Sequence, residues 1–298
     1  MPRIADEVLD SIFFLYPSLD DAKNSAKFGG TGFVISYPSE QVPDITYFYG
    51  VTNWHVAVRD GCSVIRINTT DGGTEILEHG PEDWLYDADG DDLAIIQLSP
   101  NFSIHSLKPI PTALIHKKDV LLDQNKFNVG LGDDVFMLGR FVEKDYGPMN
   151  APTARFGCIS TMPSPVEQCG PRKGLKDSYC LDMHSKGGYS GSPVFVYRTP
   201  GTNLEHTFRT GATDLSRSML LLLGVHFGQF SEEMKVIGNH DYPIYGASGM
   251  TCAIPSWKIL DLLDKEELKE ERTRSDAIWT DRIRNGRRVP VPESPTST

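Results

Sequence analysis

From about residue 11 to residue 255 the chain is a succession of short β-forming runs cut apart by glycine, proline and aspartate. SIFFLY, TGFVIS, ITYFYGVT, SVIRIN and LAIIQLS come first; DVFMLG, ARFGCIS, YCLDM, PVFVYR, LLLLGVHF and MTCAI follow. Runs this short, rich in β-branched and aromatic residues, suit pleated, half-buried strands. The regular helix–strand alternation of a doubly wound fold is missing, so an all-β barrel or sandwich is expected. The 298 residues allow one large core or two modest ones. The proline-containing, less regular stretch 99–127 predicts a connection between two β-rich halves, residues 1–110 and 111–255.

After the last run, PSWKILDLLDKEELKEERTR predicts a helix over 256–271, with Ser256 capping its first turn and Ile259, Leu262 and Leu263 forming an apolar stripe. The extension spans 256–288, and residues 289–298 have the composition of a mobile tail. The mixed-charge run KEELKEERTR reads as a solvated helix face, or as a docking face for a regulatory partner.

Composition narrows the partners. Lys and Arg number 29 against 40 Asp and Glu, a formal charge of −11. That balance disfavours nucleic acid or an anionic membrane as the main partner, since both need a basic surface. Cys62, Cys158, Cys169, Cys180 and Cys252 are odd in number, widely spaced and without a CxxC pair, which suits reduced thiols better than a disulfide framework or a zinc site. MPRIADEVLDSIFFLYPSLDD lacks the pattern of a signal peptide, and MLLLLGV at 219–225 is too short to span a bilayer. A cytoplasmic protein without metal or cofactor is expected. DADGDD at 87–92 misplaces the glycine of a calcium loop, and Leu98 stands where its bidentate glutamate belongs. GGTG at 29–32 lacks the GK[ST] of a phosphate loop, and His79, His105, His116, His206 and His240 show no metal-ligand spacing.

The chemistry centres on GGYSGSPVF at 187–195. A nucleophile elbow needs G-x-S-x-G and a turn straight into a helix, whereas GYSGS lacks the second glycine and Pro193, Val194, Phe195 and Val196 favour a strand. The other arrangement needs a histidine and then an aspartate upstream. YGVTNWHVAV supplies His55 at the end of a β-rich run, and DGDDLAIIQLS supplies Asp92 at the start of one. The order His, Asp, Ser is that of the chymotrypsin-type triad.

The landmarks GGTGFVIS, VTNWHV, DDLAIIQL, GDDVFMLG, GGYSGSPVF, LLGVHFG and CAIPS resemble those of bacterial trypsin-like serine peptidases, including HtrA proteases and, around the serine, glutamyl endopeptidases. The resemblance covers roughly residues 11–265 and implies two six-stranded antiparallel β-barrels with the active site between them, and no room for a PDZ module after the helix. It also implies that Ser190 attacks the scissile carbonyl, His55 moves the proton and Asp92 orients the imidazole, while the N–H groups of Gly188 and Ser190 form the oxyanion hole. Asp91 is a rival for the acid, since only one of two neighbouring strand residues can face His55. Tyr189 departs from the family, which carries aspartate or asparagine before the serine.

The resemblance further places MHSKGG and GVHFGQ at the walls of the pocket for the side chain before the cut. His226, in a G-x-H context, and Ser185 match glutamyl endopeptidases, with His184, Lys186 and Gly228 nearby. An imidazole and a hydroxyl can hydrogen-bond a carboxylate or a carboxamide, which favours Glu or Gln. Alternatively, His226 is a core histidine and the pocket takes small apolar side chains. For the chain as a whole, a serine endopeptidase acting on proteins or peptides stands beside a silent binding module of the same fold and a protease latent until a partner docks.

Overall fold

The computed structural model describes residues 4–27, 29–122, 129–142, 147–198, 219–236 and 239–285. The expected tail at 289–298 and His206 lie outside them, as does the His240 side chain. The N-terminal half supplies β1 (Ile12–Tyr16), β2 (Thr31–Pro38), β3 (Thr46–Thr52), β4 (Val64–Asn68), β5 (Thr74–Leu77), β6 (Leu85–Tyr86), β7 (Ala94–Leu98) and β8 (Ile110–Pro111). Their order is β5–β4–β1–β2–β3–β7–β6, all antiparallel, with β8 added parallel to β2. This sheet curls without closing by hydrogen bonds. Its short strands β5, β6 and β8 are the ones the hydrophobic pattern does not mark, because none carries an extended apolar run.

The second half contributes β9 (Asp134–Gly139), β10 (Thr153–Gln168), β11 (Gly174–Asp182), β12 (Pro193–Arg198), β13 (Met219–Val236) and β14 (Asn239–Pro255). These close into a six-stranded barrel in the order β10–β11–β14–β13–β12–β9. The all-β, chymotrypsin-like architecture with a C-terminal helical extension is therefore present.

The two halves share apolar packing. Phe136 of β9 stacks on Phe195 of β12 with ring centroids 5.0 Å apart, and both belong to the buried cluster that holds Phe33 of β2 and Tyr49 of β3. Burying a side chain of this size is worth about 1.5–3 kcal/mol, so the shared cluster fixes one sheet against the other.

The expected C-terminal helix is two helices, Trp257–Leu263 and Glu266–Arg284. The stripe Ile259, Leu262 and Leu263 is buried as its spacing predicts. Lys265 is extended (φ −64°, ψ 144°) and breaks the run, while Arg272 caps the first helix by donating from Nη2 to the Leu263 carbonyl at 2.7 Å. Ser256 does not cap as expected. It already has helical φ and ψ, its hydroxyl makes no cap bond, and its backbone N–H is held by the Leu223 carbonyl at 2.9 Å. The second helix is solvated on one side only. Leu268, Arg272 and Asp276 are buried against the N-terminal sheet, with Tyr47 donating to Asp276 and Arg272 to the Tyr49 hydroxyl. Among the described residues no helix is long and apolar enough to cross a membrane.

Candidate active site

His55 and Asp92 meet because their strands pair. β3 and β7 are neighbours, with Thr52 opposite Ala94. Three residues past Thr52, His55 opens a π-helical turn (His55–Arg59), and Asp92 stands two residues before Ala94. Asp92 is fully buried. Its Oδ2 lies 2.6 Å from His55 Nδ1, its Oδ1 accepts the His55 backbone N–H at 2.8 Å, and its carbonyl accepts from Asn53 Nδ2 at 2.9 Å. A carboxylate only accepts, so the contact places the imidazole proton on Nδ1 and leaves a lone pair on Nε2. Asp91 faces the other way, bonded to Gln168 Nε2 at 3.2 Å and Lys258 Nζ at 3.3 Å. The other carboxylates of the DADGDD loop are paired too, Asp89 with Arg172 at 3.0 Å and Asp87 with Lys265 at 3.6 Å.

Ser190 comes from the loop between β11 and β12, tied to the first sheet at its base. The Thr31 N–H donates to the Ser190 carbonyl at 2.8 Å, and Thr31 Oγ1 to the Gly188 carbonyl at 2.7 Å. Gly188 (φ +96°) sits in the turn closed by the Tyr189 N–H on the Lys186 carbonyl, a backbone state that favours glycine. Tyr189 points away from the oxyanion position. Its ring is fully buried in the second barrel, its hydroxyl hydrogen-bonds Thr153, and its carbonyl accepts the Ser192 N–H at 3.0 Å. The tyrosine thus anchors the loop from below. The N–H groups of Gly188 and Ser190 donate to no group among the described residues. Ser190 is half-buried, and no hydrogen bond joins its Oγ to His55.

Gly191 (φ +85°) has no room for a side chain. A Cβ there would stand 2.0 Å from the Thr31 carbonyl oxygen and 2.3 Å from Thr52 Oγ1. Gly191→Ala is expected to cost about 2 kcal/mol through left-handed strain and overpacking. Urea unfolding beside the wild type checks this, and a midpoint unchanged would contradict it.

At the expected pocket, His226 on β13 is buried, and its Nδ1 lies 3.1 Å from the Tyr189 carbonyl. A carbonyl only accepts, so Nδ1 carries the proton. Nε2 is buried with no hydrogen-bond partner among the described residues. Burial holds the imidazole down to a pKa of about 4, against the opposing pull of the Tyr189 carbonyl; the nearby His55 lowers it further, and the Gly228 carbonyl opposes. Ser185 is buried, without a hydrogen bond to His226, whereas His184 and Lys186 are exposed. Lys186 Nζ lies 5.1 Å over the Phe141 ring, and a Cβ added at Gly228 would meet open space. The contacts of Asn53, Gln168, Thr31 and Lys258 carry no signal in the sequence.

No protein-family profile and no curated protein matches this chain. Its structure is similar to the protease domain of MamO from Magnetospirillum magneticum, at 13% identity and TM-score 0.51 over 87% of this chain and 98% of that one. It is also similar to the Rv3671c protease of M. tuberculosis in its active form, at 21% identity and TM-score 0.45 over 86% and 80% of the two chains. The HtrA-type protease AlgW aligns at 14% identity and TM-score 0.46, over 88% of this chain and 66% of its own. The class defined is a fold, the chymotrypsin-like fold of the MamO protease domain.

Proposed function

We propose that the chain is a serine endopeptidase that cleaves protein or peptide substrates through an acyl-enzyme. The observation that carries this reading is the doubly bonded Asp92 carboxylate, which orients His55 with the Nε2 lone pair available. In the proposed reaction Nε2 takes the Ser190 proton as Oγ attacks the scissile carbonyl, and returns it to the leaving amine. The N–H groups of Gly188 and Ser190 receive the developing oxyanion, each such donor typically worth about 3 kcal/mol of barrier. Asp92 stabilises the imidazolium throughout. Water then repeats the sequence on the acyl-enzyme. The one requirement left is that Ser190 Oγ come within about 2.6–3.2 Å of Nε2, a contact that commonly tightens only on substrate binding.

His226 is the specificity residue of this proposal: its Nε2, buried in the free chain, must be uncovered to meet a Glu or Gln side chain, Gln being the better match for a neutral imidazole, with Ser185 and Gly228 at the wall and His184 and Lys186 at the rim. Cytoplasmic placement is part of the same reading: Cys180 and Cys252 stand opposite each other on β11 and β14 as free thiols. A regulatory partner would have to use the outer side of the last helix, since the inner side is occupied by the N-terminal sheet.

The open Ser190–His55 contact favours a second reading, a silent binding module. Labelling with a serine-reactive phosphonate, followed by digestion of a mixed peptide library, separates the two. Wild-type protein is expected to label at Ser190 and to cut peptides, and Ser190→Ala to do neither. A wild type inert in both assays would overturn activity of the free chain and leave the silent module or a protease latent until a partner docks.

A further inference from the structure

We propose that Gln168 is a positioning residue that holds the Asp92 carboxylate on His55 by pinning the Asp91–Asp92 backbone from the opposite barrel; this rests on the hydrolase reading above. Gln168 ends β10 in the second barrel, 76 residues from Asp92 in the chain, and is fully buried. Its Oε1 accepts the Asp92 N–H at 2.9 Å. Its Nε2 donates to Asp91 Oδ1 at 3.2 Å and to Ser178 Oγ at 3.0 Å.

The amide can stand only one way round. Turned over, its NH₂ would face the Asp92 N–H and its oxygen would face a carboxylate, so both contacts would repel. The orientation in turn selects which carboxylate faces which way. Asp91 is drawn toward the second barrel, where Lys258 of the first C-terminal helix also holds it at 3.3 Å. Asp92, at the centre of the tight turn that the Leu93 N–H closes on the Asp91 carbonyl at 2.8 Å, thereby keeps its carboxylate on the other side, toward His55. Gly170, just beyond Gln168, completes the contact: a Cβ there would lie 3.0 Å from the Asp92 nitrogen. The acid and base come from the N-terminal sheet and the serine from the barrel. A bond from the barrel to the acid's own peptide therefore sets how the two halves register at the reacting groups.

The test uses the full chain with Gln168→Met, which keeps the volume and removes all three hydrogen bonds, and with Ser178→Ala, which of those three removes only the bond remote from Asp91 and Asp92, along with the hydroxyl's own bond to the Lys176 carbonyl. Two quantities are measured: steady-state turnover, and the low-field proton resonance of the His55 Nδ1–H bonded to Asp92. Gln168→Met is expected to lower kcat by about 10- to 100-fold with KM within about twofold, and to weaken the resonance; a displacement of about 1 Å at reacting groups costs on this scale. Ser178→Ala should leave both near wild type. If Gln168→Met does not fold, Gln168→Asn, one methylene too short to reach the Asp91–Asp92 backbone, replaces it, and the resonance is expected to weaken likewise. Wild-type kcat and an undiminished resonance in whichever of the two variants folds would overturn the proposal. A resonance that depends on Gln168 in a chain without Ser190-dependent turnover would instead refute the hydrolase reading and leave the positioning intact.

Discussion

Asp92→Asn is expected to lower kcat by about 10⁴-fold while the fold survives. The reason lies in the two bonds the carboxylate makes, to the His55 backbone N–H at 2.8 Å and to Nδ1 at 2.6 Å. Asparagine has one acceptor oxygen and one NH₂ group. If the oxygen keeps the backbone N–H, the NH₂ faces the ring and forces the proton from Nδ1 to Nε2. An imidazole with Nε2 protonated cannot take the Ser190 proton. The companion Asp91→Asn keeps an acceptor oxygen for Gln168 and loses only the charge that pairs with Lys258, and its kcat should fall far less. Steady-state kinetics with far-UV circular dichroism on both variants decides between the two acids. Equal losses would show that Asp92 is not the orienting group.

His226 yields the other large effect, in stability and in specificity. Its pKa is depressed to about 4 in the fold, from an ordinary value of 6.5. The unfolded chain therefore binds a proton at pH values where the folded chain does not. The stability from keeping this histidine neutral is fully present above pH 6.5 and is lost as pH falls from there toward 4, a total of about 3 kcal/mol. Urea unfolding of wild type and His226→Gln across pH 7.5 to 4 should show a steeper decline in the wild type, and parallel curves would refute the assignment. Under the proposed reading, specificity follows from the same protonation state: with Nδ1 donating to the Tyr189 carbonyl, a neutral Nε2 uncovered by substrate would accept from the NH₂ of a glutamine and repel a glutamate carboxylate. At pH 7 cleavage after Gln should exceed cleavage after Glu by about tenfold or more, since a group left facing the wrong partner is strongly rejected. An identical peptide-library profile from His226→Ala would remove His226 from the pocket.

Much of this architecture is legible in local patterns. Short, nearly continuous apolar runs rich in β-branched and aromatic residues mark PVFVYR and LAIIQLS as buried strands, a local preference that needs no knowledge of the partner strand. Ile259, Leu262 and Leu263 likewise mark a buried helix face. The order of His55, Asp92 and Ser190, each beside such a run, is visible before any folding is considered. The break at Lys265 is not, since it arises where the second helix docks Arg272 and Asp276 on Tyr47 and Tyr49 of a distant strand.

The same division runs through the site. Period-two alternation says that Asp91 and Asp92 face opposite sides, and cannot say which side holds His55. The pairing of β3 with β7, and the pull of Gln168 and Lys258 on Asp91, decide it. Nor does the tyrosine in GYSGS indicate whether it crowds the oxyanion position or lies in the barrel, because that depends on Thr153, 36 residues earlier in the chain. Backbone preference and hydrophobic period act between near neighbours and are written in the order of residues. Hydrogen-bond partners of buried polar groups are chosen by whichever strands close the barrel, and so exist only once the chain has folded.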